Sequence, residues 1–149
     1  MIKKKLVNGQ HRIKMLELAI QNFKNENIKI FDFEVKNDLP NNTLNTIKLL
    51  KSESKYQGYD YYFIVGLDVA NDMPNWDNHL ELISLINFVI LPRNGQIIKT
   101  YWFLKSSKHL YLNDTTTKNI SSTMFRETFN KNIVPSKVLE YIIKNKLYT

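Results

Sequence analysis

The chain has 149 residues, 43% of them hydrophobic, which is enough for one domain with a buried core. It has no cysteine, so disulfides and thiolate metal sites are excluded. Its net charge of +7 and pI near 9.5 suit polyanion partners and equally a nucleotide-using enzyme. No apolar run approaches the roughly 20 residues that span a bilayer. Lys3, Lys4 and Lys5 have no signal-type apolar segment behind them. A cytoplasmic protein is the reading.

The first periodic segment starts at Asn8, a helix cap, with Ile13, Leu16, Ile20 and Phe23 at helical spacing and Met15 and Ala19 widening the stripe. Asn25, Glu26 and Asn27 break it. Residues Ile28 to Val35 are rich in β-formers and partly alternate, which predicts a strand. A loop at Asn37 to Asn42 follows, with proline and asparagines as turn signals. Thr43 or Asn42 then caps a short helix carrying Leu44, Ile47 and Leu50. Gly58 marks a turn.

Tyr61 to Val65 is an unbroken apolar run, which predicts a strand covered on both faces, as in a parallel sheet. Gly66 and Asp68 lie just past its end, where open α/β sheets bind ligands. The same residues also read as a plain turn before a helix. Trp76 stands in the irregular stretch Asn71 to Asp77, either stacked on a planar ligand or anchored on the core. Leu80 to Leu85 is helical. Asn87 to Leu91 is a second buried strand, ended by Pro92 and Arg93, with Asn94-Gly95 favouring a tight turn. Arg93 is thereby placed near Asp68 and Trp76. Ile97 to Leu104 fits strand or helix. Leu110 to Leu112 is a short strand.

Ile120-Ser121-Ser122-Thr123-Met124-Phe125-Arg126 is the segment richest in chemistry. Serine and threonine at a helix start accept its orphan N–H groups. The same groups suit a phosphate, and Arg126, one turn on, supplies a bidentate fork. An ordinary capped helix is the competing reading. Pro135 opens a last helix whose apolar face is Val138, Tyr141 and Ile142. Helices alternate with strands throughout, which predicts a single α/β domain with a mostly parallel sheet.

In order and spacing these pieces resemble bacterial nicotinate-nucleotide adenylyltransferases, members of the nucleotidyltransferase superfamily. The matching residues are His11-Arg12 with Met15 to Ile20, Thr43 to Thr46, Phe63 to Asp68, Trp76, Arg93 with Gly95, Ile120 to Thr123 with Arg126, Val134-Pro135 with Val138 and Tyr141-Ile142, and Leu147-Tyr148. The resemblance spans nearly the whole chain and implies a Rossmann-like fold. It implies transfer of AMP from ATP to nicotinate mononucleotide with release of pyrophosphate, using Mg²⁺. By the resemblance, Ser121, Ser122, Thr123 and Arg126 bind ATP phosphates, while Gly66 and Asp68 serve the ribose. Thr43 and Trp76 then serve nicotinate, and Arg93 is a further anion contact.

The chain departs from that pattern in three places. Asn42 stands where tyrosine is common, and Asp77 follows Trp76 where an aromatic or basic residue is usual. The family opens with a strand, a glycine-rich turn and an H-x-G-H motif, whereas the histidines here are His11, His79 and His109, no two at that spacing. The catalytic residues are therefore unassigned. The expectation is an N-terminally incomplete nucleotidyltransferase domain, one whose partners include a missing N-terminal segment or a second copy. A transferase for another substrate and a degenerate nucleotide-binding module are the alternatives. Nucleic acid ranks last, since no recognition motif accompanies the charge.

Overall fold

The computed structural model describes residues 7–148 apart from 22, 24–26, 38–41, 94, 116–119 and 121. It divides into two units, one of residues 1–40 with 120–149 and one of residues 41–119.

The second unit holds the sheet. Strand β1 (Tyr62–Gly66) pairs in parallel with β2 (Asn87–Leu91), and β2 with the short β3 (Leu110–Tyr111). Both long strands coincide with the apolar runs. One expectation fails: β1 is not covered on both faces. Tyr62 and Ile64 are 55% and 63% exposed while Val65 is buried. Successive side chains point to opposite faces, and the face bearing Tyr62 and Ile64 is the open one.

Helix α3 (Thr43–Ser52) begins where expected, and Asn42 is its cap, its side chain accepting from Asn45 N at 3.2 Å. The departure at Asn42 thus has a local reason, since a tyrosine lacks that short acceptor. Leu44, Ile47 and Leu50 are buried, as their spacing predicts. Helix α4 (Leu67–Asp72) follows β1 without a linker, and α5 (His79–Leu85) leads into β2. Lys108 closes α5 by donating its ammonium to the carbonyls of Ile83 and Ser84, the favoured position for a cation on a helix dipole.

The ambiguous segment Ile97 to Leu104 is neither strand nor long helix. It is a strap tied to α4 by side chains. Asn71 donates to Ile97 O at 2.9 Å and accepts from Lys99 N at 2.8 Å. Thr100 and Trp102 both donate to Ala70 O, at 3.2 and 2.9 Å. A 3₁₀ turn at Trp102–Leu104 then buries Phe103.

Phe88, Trp102 and His109 form an aromatic cluster, with His109 meeting the two rings edge-on at 5.6 and 5.1 Å. His109 is buried, and its Nδ1 has no hydrogen-bond partner. Burial first, and the nearby Lys108 charge second, push its pKa below the ordinary histidine value of 6.5. The unfolded chain therefore takes up the proton before the folded one does, so stability falls as pH drops below about 6.5. Urea midpoints at about pH 7.5 and 5.5 measure this. His109→Phe, which keeps the ring packing, should shrink the difference between them. An equal difference in that variant would assign the acid sensitivity elsewhere.

In the other unit, α1 (Gly9–Ile20) starts at Asn8, whose side chain accepts from Gln10 N at 2.8 Å. The helix stops at Ile20, so Phe23 lies outside it and is exposed. Its packed face is Met15, Leu18 and Ala19, while Leu16 of the expected stripe is exposed. A hydrogen bond of 2.8 Å between His11 Nδ1 and the Tyr141 hydroxyl joins this face to α7 (Ser136–Lys144). The core is Phe125, Val138, Ile142 and Leu147. Pro135 sits one residue outside α7, its carbonyl accepting from Val138 N and Leu139 N.

The predicted strand at Ile28 to Val35 is corrected. Residues 28–32 are irregular, and Phe33–Lys36 is a single helical turn, α2. β-propensity is a preference for a pleated, half-buried surface, and no described strand offers these residues a ladder. Phe31 and Phe33 stack on each other at 5.4 Å instead.

Candidate active site

Two groups of candidate residues take shape, one in each unit. At the carboxyl end of the sheet, Gly66 closes β1 and pairs in register with Leu91 of β2. Asp68 is in the first turn of α4, and Arg93 lies two residues past β2. Parallel strands bring their ends to one edge, so residues 25 apart in sequence meet. Arg93 Nη1 donates to Asp68 Oδ2 at 3.2 Å. A Cβ on Gly66 would collide with Asp68 Oδ1 and stand 3.2 Å from Arg93 Nε. A side chain here would push the Asp68 carboxylate from its place in the ion pair. Asp68 also lines a cleft of about 460 Å³ with Asn71, Gly95, Gln96 and Lys99. Gly95 has φ +78, the left-handed turn that the Asn-Gly pair predicts.

Trp76 is partly buried, and its indole N–H donates to Asp72 Oδ2 at 3.1 Å. Asp72 also accepts from Asn75 at 3.0 Å. These two hydrogen bonds, Asn75's the larger, hold its carboxyl below the usual carboxylate range. The ring is held by its polar edge. Arg93 bonds Asp68 and not this indole. Asp72 was not among the candidates from sequence, although its place four residues before Trp76 is the available signal. Asp77 is exposed, and Thr43 is the first residue of α3.

The second group is on α6 (Ser122–Thr128). Ser121 lies outside the described residues. Ser122 and Thr123 are exposed, and Arg126 Nη2 donates to Thr123 Oγ1 at 3.3 Å, so the fork and the hydroxyl share one side of the helix. Ser122 and Arg126 also line a cavity of about 380 Å³, otherwise largely apolar, with Met15, Phe125, Val138 and Ile142 among its walls.

The histidines are committed locally. His11 bonds Tyr141, His79 Nδ1 lies 3.0 Å from Trp76 O, and His109 is in the aromatic cluster. Among the described residues no three histidine, aspartate or glutamate side chains stand together to hold a metal, and no helix is long and apolar enough to cross a membrane.

A parallel sheet with a glycine and a carboxylate at its carboxyl edge has them where open α/β sheets bind ligands. The chain belongs to the cytidylyltransferase-like family, whose profile matches residues 2–128. A protein of Lactococcus lactis named probable nicotinate-nucleotide adenylyltransferase is 35% identical over 150 residues, covering 97% of this chain and 72% of the relative. The nicotinate-nucleotide adenylyltransferase of Bacillus subtilis is 34% identical over 143 residues, covering 93% and 70%. Within the wider family, the chain therefore belongs with the nicotinate-nucleotide adenylyltransferases. The fold agrees with a solved nicotinic acid mononucleotide adenylyltransferase of Plasmodium falciparum complexed with NaAD. That match has TM-score 0.75 and 24% identity, and covers 99% of this chain and 78% of the other.

Proposed function

We propose that this chain is a nicotinate-nucleotide adenylyltransferase acting in NAD biosynthesis in the cytoplasm, with residues 1–149 forming one nucleotidyltransferase domain. The observation that carries the reading is the identity to such enzymes over nearly the whole chain. In the reaction a phosphate oxygen of nicotinate mononucleotide attacks the α-phosphorus of ATP. A new P–O–P bond forms, the bond to the β-phosphate breaks, and pyrophosphate leaves with the bonding pair. The protein's work is alignment and charge stabilisation.

In this reading Ser121, Ser122, Thr123 and Arg126 hold the ATP phosphates. Asp68, over Gly66, accepts from ribose hydroxyls. Trp76 stacks on the nicotinate ring, and Thr43 donates to its carboxylate from the start of α3. Mg²⁺ bound with ATP would supply charge neutralisation at the phosphates. No three acidic or histidine side chains stand together among the described residues, so the ion would be held through the ATP phosphates and water.

The local commitments of His11, His79 and His109 favour a second reading, a nucleotide-binding module without turnover. The experiment supplies the 149-residue chain with ATP, Mg²⁺ and nicotinate mononucleotide, alone and with an added segment carrying the strand and H-x-G-H motif. Dinucleotide under either condition supports the first reading. ATP binding without product under both conditions supports the second reading. Product from nicotinamide mononucleotide in preference to nicotinate mononucleotide would move the assignment to another substrate.

A further inference from the structure

We propose that Arg93 is a positioning residue that works through Asp68, rather than an anion ligand. This rests on the reading of Asp68 as the ribose acceptor. The register pairs Gly66 with Leu91, so Arg93, two residues on, turns back over the end of the neighbouring strand. There its fork is tied to Asp68 by one arm. Nη1 donates to Asp68 Oδ2 at 3.2 Å. Nε and Nη2 lie over Gly66, 3.2 and 3.3 Å from where a Cβ would be. Both nitrogens thus lie beside Gly66, next to the Asp68 carboxylate.

Exposure is divided in the same sense. The Arg93 side chain is 25% exposed and the Asp68 side chain 42%, so the acid is the more open partner. Among the described residues Arg93 is the one group hydrogen-bonded to Asp68. The bond is made to one carboxylate oxygen, and a carboxylate has about four lone-pair sites, so acceptor capacity remains for a ligand. Without Arg93 the carboxylate of Asp68 has no protein group to fix its rotamer, and loose placement of a binding group costs recognition steeply. Gly66, Asp68 and Arg93 are then one device. The glycine makes room, the arginine aims, and the acid recognises.

The test compares binding of ATP with that of 2′,3′-dideoxy-ATP, which lacks both ribose hydroxyls. The native chain should prefer ATP by about tenfold or more, the usual worth of hydrogen bonds to a charged acceptor. Arg93→Ala should bring the preference to within about threefold of unity, as Asp68→Asn does, by weakening ATP and leaving the dideoxy analogue nearly unchanged. Arg93→Lys should restore part of it. Gly66→Ala should reproduce the loss with Arg93 intact. Thr123→Ala should weaken both nucleotides alike, which separates a phosphate contact from a ribose effect. If Arg93→Ala weakens both nucleotides equally and the preference survives, Arg93 touches the anion directly and the proposal is wrong, with the ATP reading intact. If neither nucleotide binds the native chain, the ATP reading fails and this inference fails with it.

Discussion

Replacing Arg126 by alanine is expected to weaken ATP binding by about 10- to 100-fold while barely moving the thermal midpoint. Hydrogen bonds from a guanidinium to phosphate are charge-assisted, and losing about 1.5–3 kcal/mol of them lowers affinity about 10- to 100-fold. The folded chain depends little on the same group. Its hydrogen bond to Thr123 Oγ1 is 3.3 Å long and at the surface. Arg126→Lys keeps the charge and loses the planar fork, so its affinity should fall between the two. Calorimetric titration with ATP, alongside a melting curve, measures both quantities. A folded Arg126→Ala protein that binds ATP as the native chain does would remove α6 from the phosphate site and return Ser122 to Arg126 to the status of a surface helix.

How much of this was legible in the residues depends on the kind of interaction. Caps were legible, because Asn8 and Asn42 act on N–H groups within three residues of themselves. The strands at Tyr62–Gly66 and Asn87–Leu91 were legible because apolar and aromatic β-formers run there without a break, although the exposed alternate residues of the first were not. The meeting of Asp68 and Arg93 followed from those strands, since both residues lie just past parallel carboxyl ends. What escaped is tertiary. The run Ile28 to Val35 has strand composition but no described partner strand, and propensity without a ladder does not make a sheet. The packed face of α1 is rotated away from Leu16 because α7 chooses the face, through Tyr141 and His11. The strap over α4 is invisible to periodicity. It is held by Asn71, Thr100 and Trp102 side chains bonding irregular backbone, which leaves no repeat to read. The anchoring of Trp76 by Asp72 is of the same kind.

Phe88→Ala should have the largest effect on stability, about 3–5 kcal/mol, the ordinary cost of deleting a buried phenyl group. Phe88 is fully buried at the middle strand of the sheet. Its ring is edge-on to Trp102 at 5.2 Å and tilted against Phe63 at 5.9 Å, and His109 closes a third side. All three neighbours are themselves rings, too large to collapse into the space that an alanine leaves. Against a typical total of about 5–15 kcal/mol, the loss should be plain as an early urea midpoint. Phe88→Leu, which keeps most of the volume, should cost a good deal less. A midpoint for Phe88→Ala close to the native one would mean that the aromatic cluster does not hold β2 in place. The comparison with Arg126 is what makes the pair informative. In dilute urea, with Phe88→Ala still folded, nucleotide affinity should stay within about threefold of native, because truncating a core ring removes packing and not a phosphate contact. Arg126→Ala should show the reverse, native stability with lost affinity. Two variants that separate in opposite directions would establish that the strands are the scaffold and α6 a binding element. Two that move together would mean that the fold and the phosphate site are not separable in this chain.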